Sequence, residues 1–259
     1  MHRVEITRID VSAGKAQRLA DYVAKEKPLH IFLNKEHYVT IFCSPRNLKE
    51  LAVGHLLSEG IIKSAKEIDG VNLTEEACRI KLRPSVDLEK RLKHSKLHSR
   101  VILLACGSNR PYQYSARLPK VKSSLRVRAG TILECVNRLN IAADTFRKTG
   151  GVHAAAIYKT DGALVAFAED VGRHNAVDKA IGIAAVSKTN FADCFLALTG
   201  RLTGDMVYKA ARVGLPLVAS LAAAIDSGID IARHANLTLV GFVRGKRMNV
   251  YSFPERIIF

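Results

Sequence analysis

Residues 169–179 read Glu-Asp-Val-Gly-Arg-His-Asn-Ala-Val-Asp-Lys. The apolar stretch before them, Ala163–Ala168, has the composition of a short strand. His174–Val186 follows, with its apolar residues at helical spacing along one face. A polar segment that contains glycine therefore joins a strand to a helix. Such junctions bind ligands in α/β sheets, because the N-terminus of the helix offers unpaired N–H groups.

Strands and helices alternate on both sides of this junction. Gly151–Tyr158 is strand-like and is followed by Thr160-Asp161-Gly162, a hairpin signal. Further strands are predicted at Phe191–Leu198, Leu215–Ala219, Leu237–Val243 and Met248–Phe253, and helices at Asp205–Val213 and Ile225–Ala235. This order predicts an α/β layered sheet.

The first half of the chain predicts a smaller α+β domain. Asn47–Glu59 is apolar at helical spacing, and Ser44 precedes it as an N-terminal cap. Short strands are predicted on either side of this helix, at Ile31–Phe42 and Val71–Leu82. Thr131–Phe146 is predicted to form another helix. We place the domain boundary just before it, which gives an N-terminal domain of residues 1–128 and an α/β domain of residues 129–259.

Charge is the most informative feature of the composition. The 259 residues include 40 Lys and Arg against 24 Asp and Glu, for a net charge of +16. Between Glu89 and Glu134 there are eleven basic residues and no acidic one. Such a field attracts polyanions, although a solvated basic surface explains the charge alone equally well. Aromatic residues make up only 6% and Trp is absent, which argues against a platform for stacking single-stranded bases.

The sequence also argues against several classes of protein. No run reaches the roughly 18–20 apolar residues of a membrane span, and the N-terminus lacks the apolar region of a signal peptide. The five cysteines are dispersed and none begins a C-x-x-C, which favours a reducing cytoplasm over a zinc site or a disulfide framework. No H-x-E or H-E-x-x-H motif supports a catalytic metal. We therefore expect a cytoplasmic protein without a metal centre.

Polar clusters follow three of the predicted strands, at residues 169–175, 199–205 and 244–247. Each places arginine beside glycine, so that a guanidinium and bare backbone can approach one phosphate. A single cluster of this kind more often forms a helix cap or a turn than a ligand site. Three such clusters on one side of one domain favour a phosphate-bearing ligand. The candidate contacts in the first two clusters are Arg173, His174, Gly200 and Arg201, with His153 as the other histidine near them.

Cys106 is the candidate nucleophile. It begins the predicted loop Cys106-Gly-Ser-Asn-Arg-Pro within the acid-free segment, and a cationic, accessible loop lowers the pKa of a thiol. Cys43 and Cys194 fall in predicted strands and Cys135 in a predicted helix, where a small buried hydrophobe is the usual role. From the residues alone, an unreactive Cys106 stays an alternative.

The sequence resembles the FdhD/NarQ family of formate dehydrogenase accessory sulfurtransferases, over Pro28–Ile257. The most specific match is the run at residues 169–179. Further matching segments are Leu48–Ile62, Thr149–Ala155, Thr199–Arg201, Met206–Lys209, Leu237–Phe242 and Asn249–Arg256.

The resemblance implies a sulfur carrier. Members accept sulfur from a cysteine desulfurase as a persulfide on a loop cysteine, here Cys106. They pass it to the molybdenum (or tungsten) bis-guanine-dinucleotide cofactor of formate dehydrogenase. The resemblance also implies a cytidine-deaminase-like α/β fold without zinc for the C-terminal domain. It assigns cofactor binding to the stretch Phe242, Val243, Arg244, Gly245, Lys246 and Arg247.

The implied partners are the cysteine desulfurase, formate dehydrogenase and the molybdenum cofactor, with no membrane and no nucleic acid. A homodimer is an open alternative to a monomer.

Two departures from the family pattern keep a second hypothesis open. Most members carry C-x-x-C in the loop, where this chain has Asn109, and Ala222–Asp226 replaces a Ser-Ala-Pro-Thr-like segment. The first hypothesis is sulfur transfer through Cys106, with the Arg244–Arg247 turn holding guanine-dinucleotide phosphates. The second is a chaperone that delivers the cofactor without sulfur transfer. A nucleic-acid binder is a third, which charge alone supports.

Overall fold

The computed structural model describes residues 1–92 and 120–259. The first part of the chain forms β1 (His2–Asp10), β2 (Lys15–Val23), β3 (Lys27–Leu33), β4 (Glu36–Cys43), α1 (Leu48–Ser58), β5 (Ile68–Leu73) and β6 (Ala77–Leu82). The second part forms β7 (Val127–Arg128), α2 (Ala129–Ala142), α3 (Asp144–Thr149), β8 (His153–Lys159), β9 (Leu164–Asp170), α4 (Arg173–Val186), β10 (Cys194–Leu198), α5 (Gly204–Val213), β11 (Leu217–Ser220), α6 (Asp226–Ala235), β12 (Thr238–Arg244), β13 (Arg247–Ser252) and β14 (Ile257–Ile258).

Six of these strands form one mixed sheet in the order β13-β12-β11-β10-β8-β9. β10, β11 and β12 are parallel, β8 runs antiparallel to β10 and β9, and β13 runs antiparallel to β12. β9, β10, β11 and β12 therefore end at the same edge, which we call the carboxyl edge. Helices follow the first three of these strands, since a chain that crosses back over a sheet buries its apolar face there.

Helices cover both faces of the six-stranded sheet. On one face, α4 and α5 bury residues such as Val177 and Met206. On the other face, α2 buries Ile132 and Leu139, and β7 and β14 lie beside it. These layers confirm the predicted mixed α/β class.

A second sheet, with the order β4-β3-β6-β5, lies in the N-terminal half. α1 contacts this sheet and also α4. One apolar core therefore runs from Leu29 and Ile31 of β3 through Leu51 of α1 to Val177 and Ile181 of α4. This core is continuous across residue 128, and the domain boundary there stays a prediction.

The predicted strands of the N-terminal half, Ile31–Phe42 and Val71–Leu82, are wrong as single strands. Each covers two antiparallel strands joined by a turn, β3 with β4 and β5 with β6. Asn34 makes the first turn with a φ of 56°, and in the second the N–H of Thr74 donates to the carbonyl of Ala77 at 2.8 Å. Neither turn contains glycine or proline, and a single Asn or Thr is a weaker signal for a break than either of those residues.

Two details of the predicted helices also differ. Asn47 occupies the cap of α1, whereas the Ser44 hydroxyl accepts a hydrogen bond from the N–H of Val171 at 3.1 Å. The predicted helix Thr131–Phe146 divides at Ala143 into α2 and α3. The strands and helices predicted between residues 151 and 253 are confirmed, with ends that agree to within three residues.

β1 and β2 form a separate two-stranded hairpin that the sequence patterns did not predict. Most of its side chains are exposed on both faces, and charged residues interrupt the alternation that marks a half-buried strand. Among the described residues, no helix combines the length and apolarity that crossing a membrane requires.

Candidate functional site at the carboxyl edge

Backbone hydrogen bonds join three segments at the carboxyl edge. Residues 199–205 follow β10, residues 221–225 follow β11, and β12 runs on past the edge. The N–H of Leu202 donates to the carbonyl of Ala223 at 2.9 Å, and the N–H of Phe242 donates to that of Ala222 at 3.0 Å. The second and third predicted clusters are thereby held on either side of the 221–225 loop.

The first and second clusters meet at Gly200. A methyl group built on Gly200 would lie 3.3 Å from Cβ of Arg173 and 3.8 Å from Nδ1 of His153. Arg173 begins α4 and His153 begins β8, so three separate elements converge here. The missing side chain at Gly200 lets both neighbouring side chains approach its backbone closely.

The Arg173 guanidinium has an unused donor. Its Nε is buried and has no hydrogen-bond partner among the described residues. An unpaired buried donor costs about 1–3 kcal/mol, and most such groups in proteins are therefore paired. Arg173 also stands at the N-terminus of α4, where backbone N–H groups and the helix dipole favour an anion. A phosphate oxygen is the kind of acceptor that this position suits.

Asp205 fixes the ring of His174. Nε2 of His174 is hydrogen-bonded to the Asp205 carboxylate, which also accepts from the Thr203 hydroxyl and from the N–H of Met206. Burial opposes ionisation of Asp205, but the hydrogen bond and positive charge of His174 outweigh it and hold the pKa of this carboxyl well below its usual range. The ionised carboxylate orients the imidazole, and Nδ1 is the ring nitrogen that remains for a ligand.

Burial and the positive charge of this edge both act on His153. Partial burial lowers the pKa of His153, and the charges of Arg173, His174 and Arg201 lower it further. Arg201 is exposed directly after Gly200. A bound anion would offset these charges and raise the pKa of His153 again.

The hairpin between β12 and β13 carries the third cluster. Phe242 has a φ of 51° at an irregularity in the β12–β13 pairing, and the guanidinium carbon of Arg244 lies 5.1 Å from its ring centre. Gly245, with a φ of 62°, makes the turn. Lys246 and Arg247 follow and are exposed, as Arg244 is. The hairpin therefore presents three cations to solvent.

The predicted contacts fall into two groups at the two ends of the carboxyl edge. The first group is Arg173, His174, Gly200 and Arg201, with His153 among them, and the second is Phe242, Arg244, Gly245, Lys246 and Arg247. Val243 is fully buried in the core beside α2, so its side chain faces no ligand. Cys106 and Asn109 lie outside the described residues.

Other residues of the 169–179 run hold the two halves of the chain together, a role that no pattern in the sequence indicated. The buried Asp170 carboxylate forms an ion pair with Lys179 at 2.6 Å and accepts from the N–H of Ser44 at 3.0 Å and from that of Gly172 at 2.9 Å. Nζ of Lys179 donates to the carbonyl of Ser44 at 2.9 Å. The strand–helix junction is therefore tied to the end of β4.

Asp178 anchors a second buried ion cluster. It lies 2.9 Å from Nζ of Lys209 and accepts from the Ser58 hydroxyl at 2.7 Å. Glu59 also contacts Lys209, at 3.1 Å, and Nδ1 of His55 lies 3.2 Å from Asp178. The sequence held one signal for this cluster, since charged residues on an otherwise apolar helix require partners when buried.

The four described cysteines are free and buried. Burial raises the pKa of Cys43 and of Cys78 to about 11, and it also raises the pKa values of Cys135 and Cys194. Thiols of this kind are unreactive at neutral pH. The residues that the structure describes contain no group of three or more His, Cys, Asp or Glu side chains suited to hold a metal ion.

Comparison with known proteins places the chain in a family. The family model "FdhD/NarQ family" matches residues 24–258. A sulfur carrier protein FdhD from Listeria monocytogenes is 35% identical over 250 residues, which cover 95% of each chain. Its counterpart from Methanothermobacter thermautotrophicus is 36% identical over 258 residues and 98% of each chain.

A solved structure matches along almost the whole length. It is described as a formate dehydrogenase accessory protein from Desulfotalea psychrophila, and it shares 26% identity with a TM-score of 0.79 over 99% of both chains. The family model, the two relatives and this solved structure agree, and the chain therefore belongs to the FdhD/NarQ family.

Proposed function

We propose that this protein is a sulfur carrier that serves the maturation of formate dehydrogenase. The observation that carries this proposal is the match along nearly the whole chain to relatives named sulfur carrier protein FdhD. The solved structure of a formate dehydrogenase accessory protein supports the same client enzyme.

Cys106 is the proposed carrier atom. Its thiolate attacks the outer sulfur of a persulfide on a cysteine desulfurase, the S–S bond of that persulfide breaks, and the desulfurase cysteine leaves as a thiolate. Cys106 then carries the sulfur as its own persulfide and presents it to the acceptor. The four described cysteines support this choice by elimination, because their thiols are buried and have raised pKa values.

The proposed acceptor is the molybdenum (or tungsten) bis-guanine-dinucleotide cofactor, bound as a substrate at the carboxyl edge. Arg173, His174, Gly200 and Arg201 would hold one group of phosphates, and the Phe242–Arg247 hairpin another. The unpartnered Nε of Arg173 and the nearby charge of the exposed Arg201 support an anionic ligand there. The +16 charge of the chain gives a polyphosphate ligand a long-range attraction as well.

We further propose a cytidine-deaminase-like fold for residues 129–259, supported by the strand order β9-β8-β10-β11-β12 with intervening helices. The free cysteines support a reducing compartment such as the cytoplasm. A homodimer is supported by the β1–β2 hairpin, since an isolated two-stranded hairpin is marginally stable in water and exposes Ile9, Val11 and Tyr22.

Replacement of the carrier cysteine tests the proposal. We expect Cys106→Ser to abolish maturation of formate dehydrogenase in a strain that lacks its own accessory protein, because a hydroxyl cannot accept or release sulfane sulfur at neutral pH. Cys194→Ser is the control, and it should act only through stability. Mass spectrometry after incubation with desulfurase and cysteine should find one added sulfur atom on Cys106.

The second candidate is a chaperone that binds the cofactor without sulfur transfer. Asn109, which stands where most members carry a second cysteine, favours it. Full formate dehydrogenase activity with Cys106→Ser, and no added sulfur on the wild-type protein, would establish the chaperone and refute the carrier.

A further inference from the structure

A second basic site lies at the opposite end of the sheet from the carboxyl edge. A cleft of about 890 Å³ is bordered by α1, by β5, by residues 120–122 and by the C-terminal ends of α4 and α5. We call it the basic cleft. α4 begins at the carboxyl edge and has 14 residues, so the two sites are about 20 Å apart. The predicted ligand contacts that the structure describes all lie outside this cleft.

The basic cleft has a strong positive charge. Six lysines and one arginine line it, against a single carboxylate, Asp69, which is already paired with Lys81 at 2.8 Å. Lys49, Lys66 and Lys122 are exposed and take no part in the ion pairs found among the described residues. The ion pairs among the described residues leave this charge available to an anionic partner.

The rest of the lining favours protein over nucleotide or nucleic acid. Leu57, Val71 and Val213 give it an apolar character. Phe191 is the one aromatic residue among the described residues of the lining, so bases have no stacking platform. An apolar patch with a charged rim is the usual composition of a protein–protein interface.

The chain's own segment between residues 93 and 119 offers the basic cleft no complementary charge. It contains five basic residues and no acidic one, so it has the same sign of charge as the cleft. Charge complementarity therefore requires a different protein, with an acidic segment.

The basic cleft also lies beside both attachment points of the segment that carries Cys106. Arg91 donates to the carbonyl of Ile61 at 3.0 Å and contacts Glu67 at 2.6 Å, next to the lining residue Lys66. Lys120 lines the cleft itself. A protein bound in the cleft is therefore adjacent to the points where the chain leads to and from Cys106.

We propose that the basic cleft docks the protein that donates sulfur, through a segment of that protein that carries both carboxylates and apolar side chains. This inference rests on the proposed sulfur-carrier function and adds the surface that receives the donor. Donor and cofactor then bind at opposite ends of the sheet and do not compete for one surface.

Charge reversal in the full-length protein tests the inference. The triple variant Lys49→Glu, Lys66→Glu, Lys122→Glu should bind a purified cysteine desulfurase at least tenfold more weakly than the wild type, with a smaller dependence on salt. The matched control reverses three exposed lysines elsewhere, Lys15, Lys25 and Lys35, and should keep wild-type affinity. A variant with Ala at the same three cleft positions should bind the desulfurase with an affinity between those of the wild type and the charge-reversal variant. This variant keeps the test valid if charge reversal impairs folding.

Failure of the docking proposal and failure of the sulfur-carrier function give different results. Equal desulfurase affinity and equal rates of sulfur loading for the cleft variant and the wild type would overturn the inference alone. Absence of sulfur loading on the wild-type protein would instead overturn the carrier function. Displacement of the desulfurase by short duplex DNA but not by a poly-glutamate peptide would also overturn the inference, in favour of nucleic acid. GDP affinity should be the same in all variants, since the carboxyl edge is unchanged.

Discussion

Arg173 is the residue on which we expect the proposed anion binding at the carboxyl edge to depend most. Its Nε is buried without a partner among the described residues, and its side chain borders Gly200. We expect Arg173→Met, which removes the donors and keeps an apolar stem, to weaken GDP binding by about ten- to a hundredfold. The reason is that a charge-assisted hydrogen bond contributes about 1.5–3 kcal/mol. Isothermal titration with GDP, a fragment of the guanine dinucleotide, measures the change.

Arg126→Met is the matched control for this variant, since Arg126 is exposed and belongs to neither group of predicted contacts. It should bind GDP as tightly as the wild type does, and both variants should keep the wild-type urea midpoint. Wild-type GDP affinity in Arg173→Met would refute the assignment of the anion site to this guanidinium.

At the scale of elements, the decisive contact is the crossing of α1 and α4. A Cβ built on Gly54 would lie 1.7 Å from the carbonyl oxygen of Asp178, and one on Gly182 would lie 1.9 Å from that of Glu50. The two backbones therefore touch, and only glycine fits at either position. This approach brings Ser58 of α1 within hydrogen-bond distance of the Asp178 carboxylate.

We expect Gly182→Ala to lower the free energy of unfolding by about 1–3 kcal/mol or more, because the added methyl group forces the helices apart. The effect opposes helix propensity, by which alanine is favoured over glycine by about 1 kcal/mol. Gly130→Ala in α2 is the control, since a Cβ built there would have no described atom within 4 Å, and it should stabilise the protein. Urea unfolding measures both, and equal stabilisation by the two substitutions would contradict the close crossing.

At the scale of the whole molecule, two buried ion clusters join the N-terminal and C-terminal halves. Asp170 and Lys179 hold the backbone of Ser44 at the end of β4. Asp178 and Lys209 hold the C-terminal end of α1. Breaking one partner of such a pair leaves an uncompensated buried charge, which is strongly destabilising. The carboxyl edge and the basic cleft thus keep a fixed relation to each other.

The second cluster makes this junction sensitive to acid. Burial opposes ionisation of Asp178, but the charge of Lys209 and the hydrogen bonds with His55 and Ser58 lower the pKa of Asp178 to about 2. An unfolded aspartate titrates near a pH of about 3.9. The contribution of Asp178 to stability is therefore fully present above that value and is lost as the pH falls toward 2. It amounts to on the order of 2–3 kcal/mol.

Urea unfolding at about pH 5.5 and about pH 2.5 measures this contribution. Asp178→Asn should reduce the loss of stability between the two pH values, whereas Asp230→Asn, at an exposed position, should leave it as in the wild type. Identical pH dependence in both variants would show that Asp178 titrates normally in the folded state.

The sequence was sufficient to predict the order of elements between residues 151 and 253. Glycine turns and clear periodicity mark these elements, and both signals are local. It also determined which polar clusters share the carboxyl edge, because strands that alternate with helices end on the same side of a sheet. The sequence did not predict the hairpins of the N-terminal half, because their turns, at Asn34 and Thr74, contain no glycine or proline.

Which charges are buried, and what they contact, depends on the packing of segments that are distant in sequence. Asp178 and Lys209 are 31 residues apart, and Lys209 and Ser58 are 151 apart, yet all three meet in one cluster. The basic cleft likewise combines α1, β5, residues 120–122 and two helix ends. The energy of a charge depends on how far it is removed from water and on what faces it. Both quantities are set when distant segments pack together, so a charged residue on an apolar helix can indicate that a partner exists but not which residue it is.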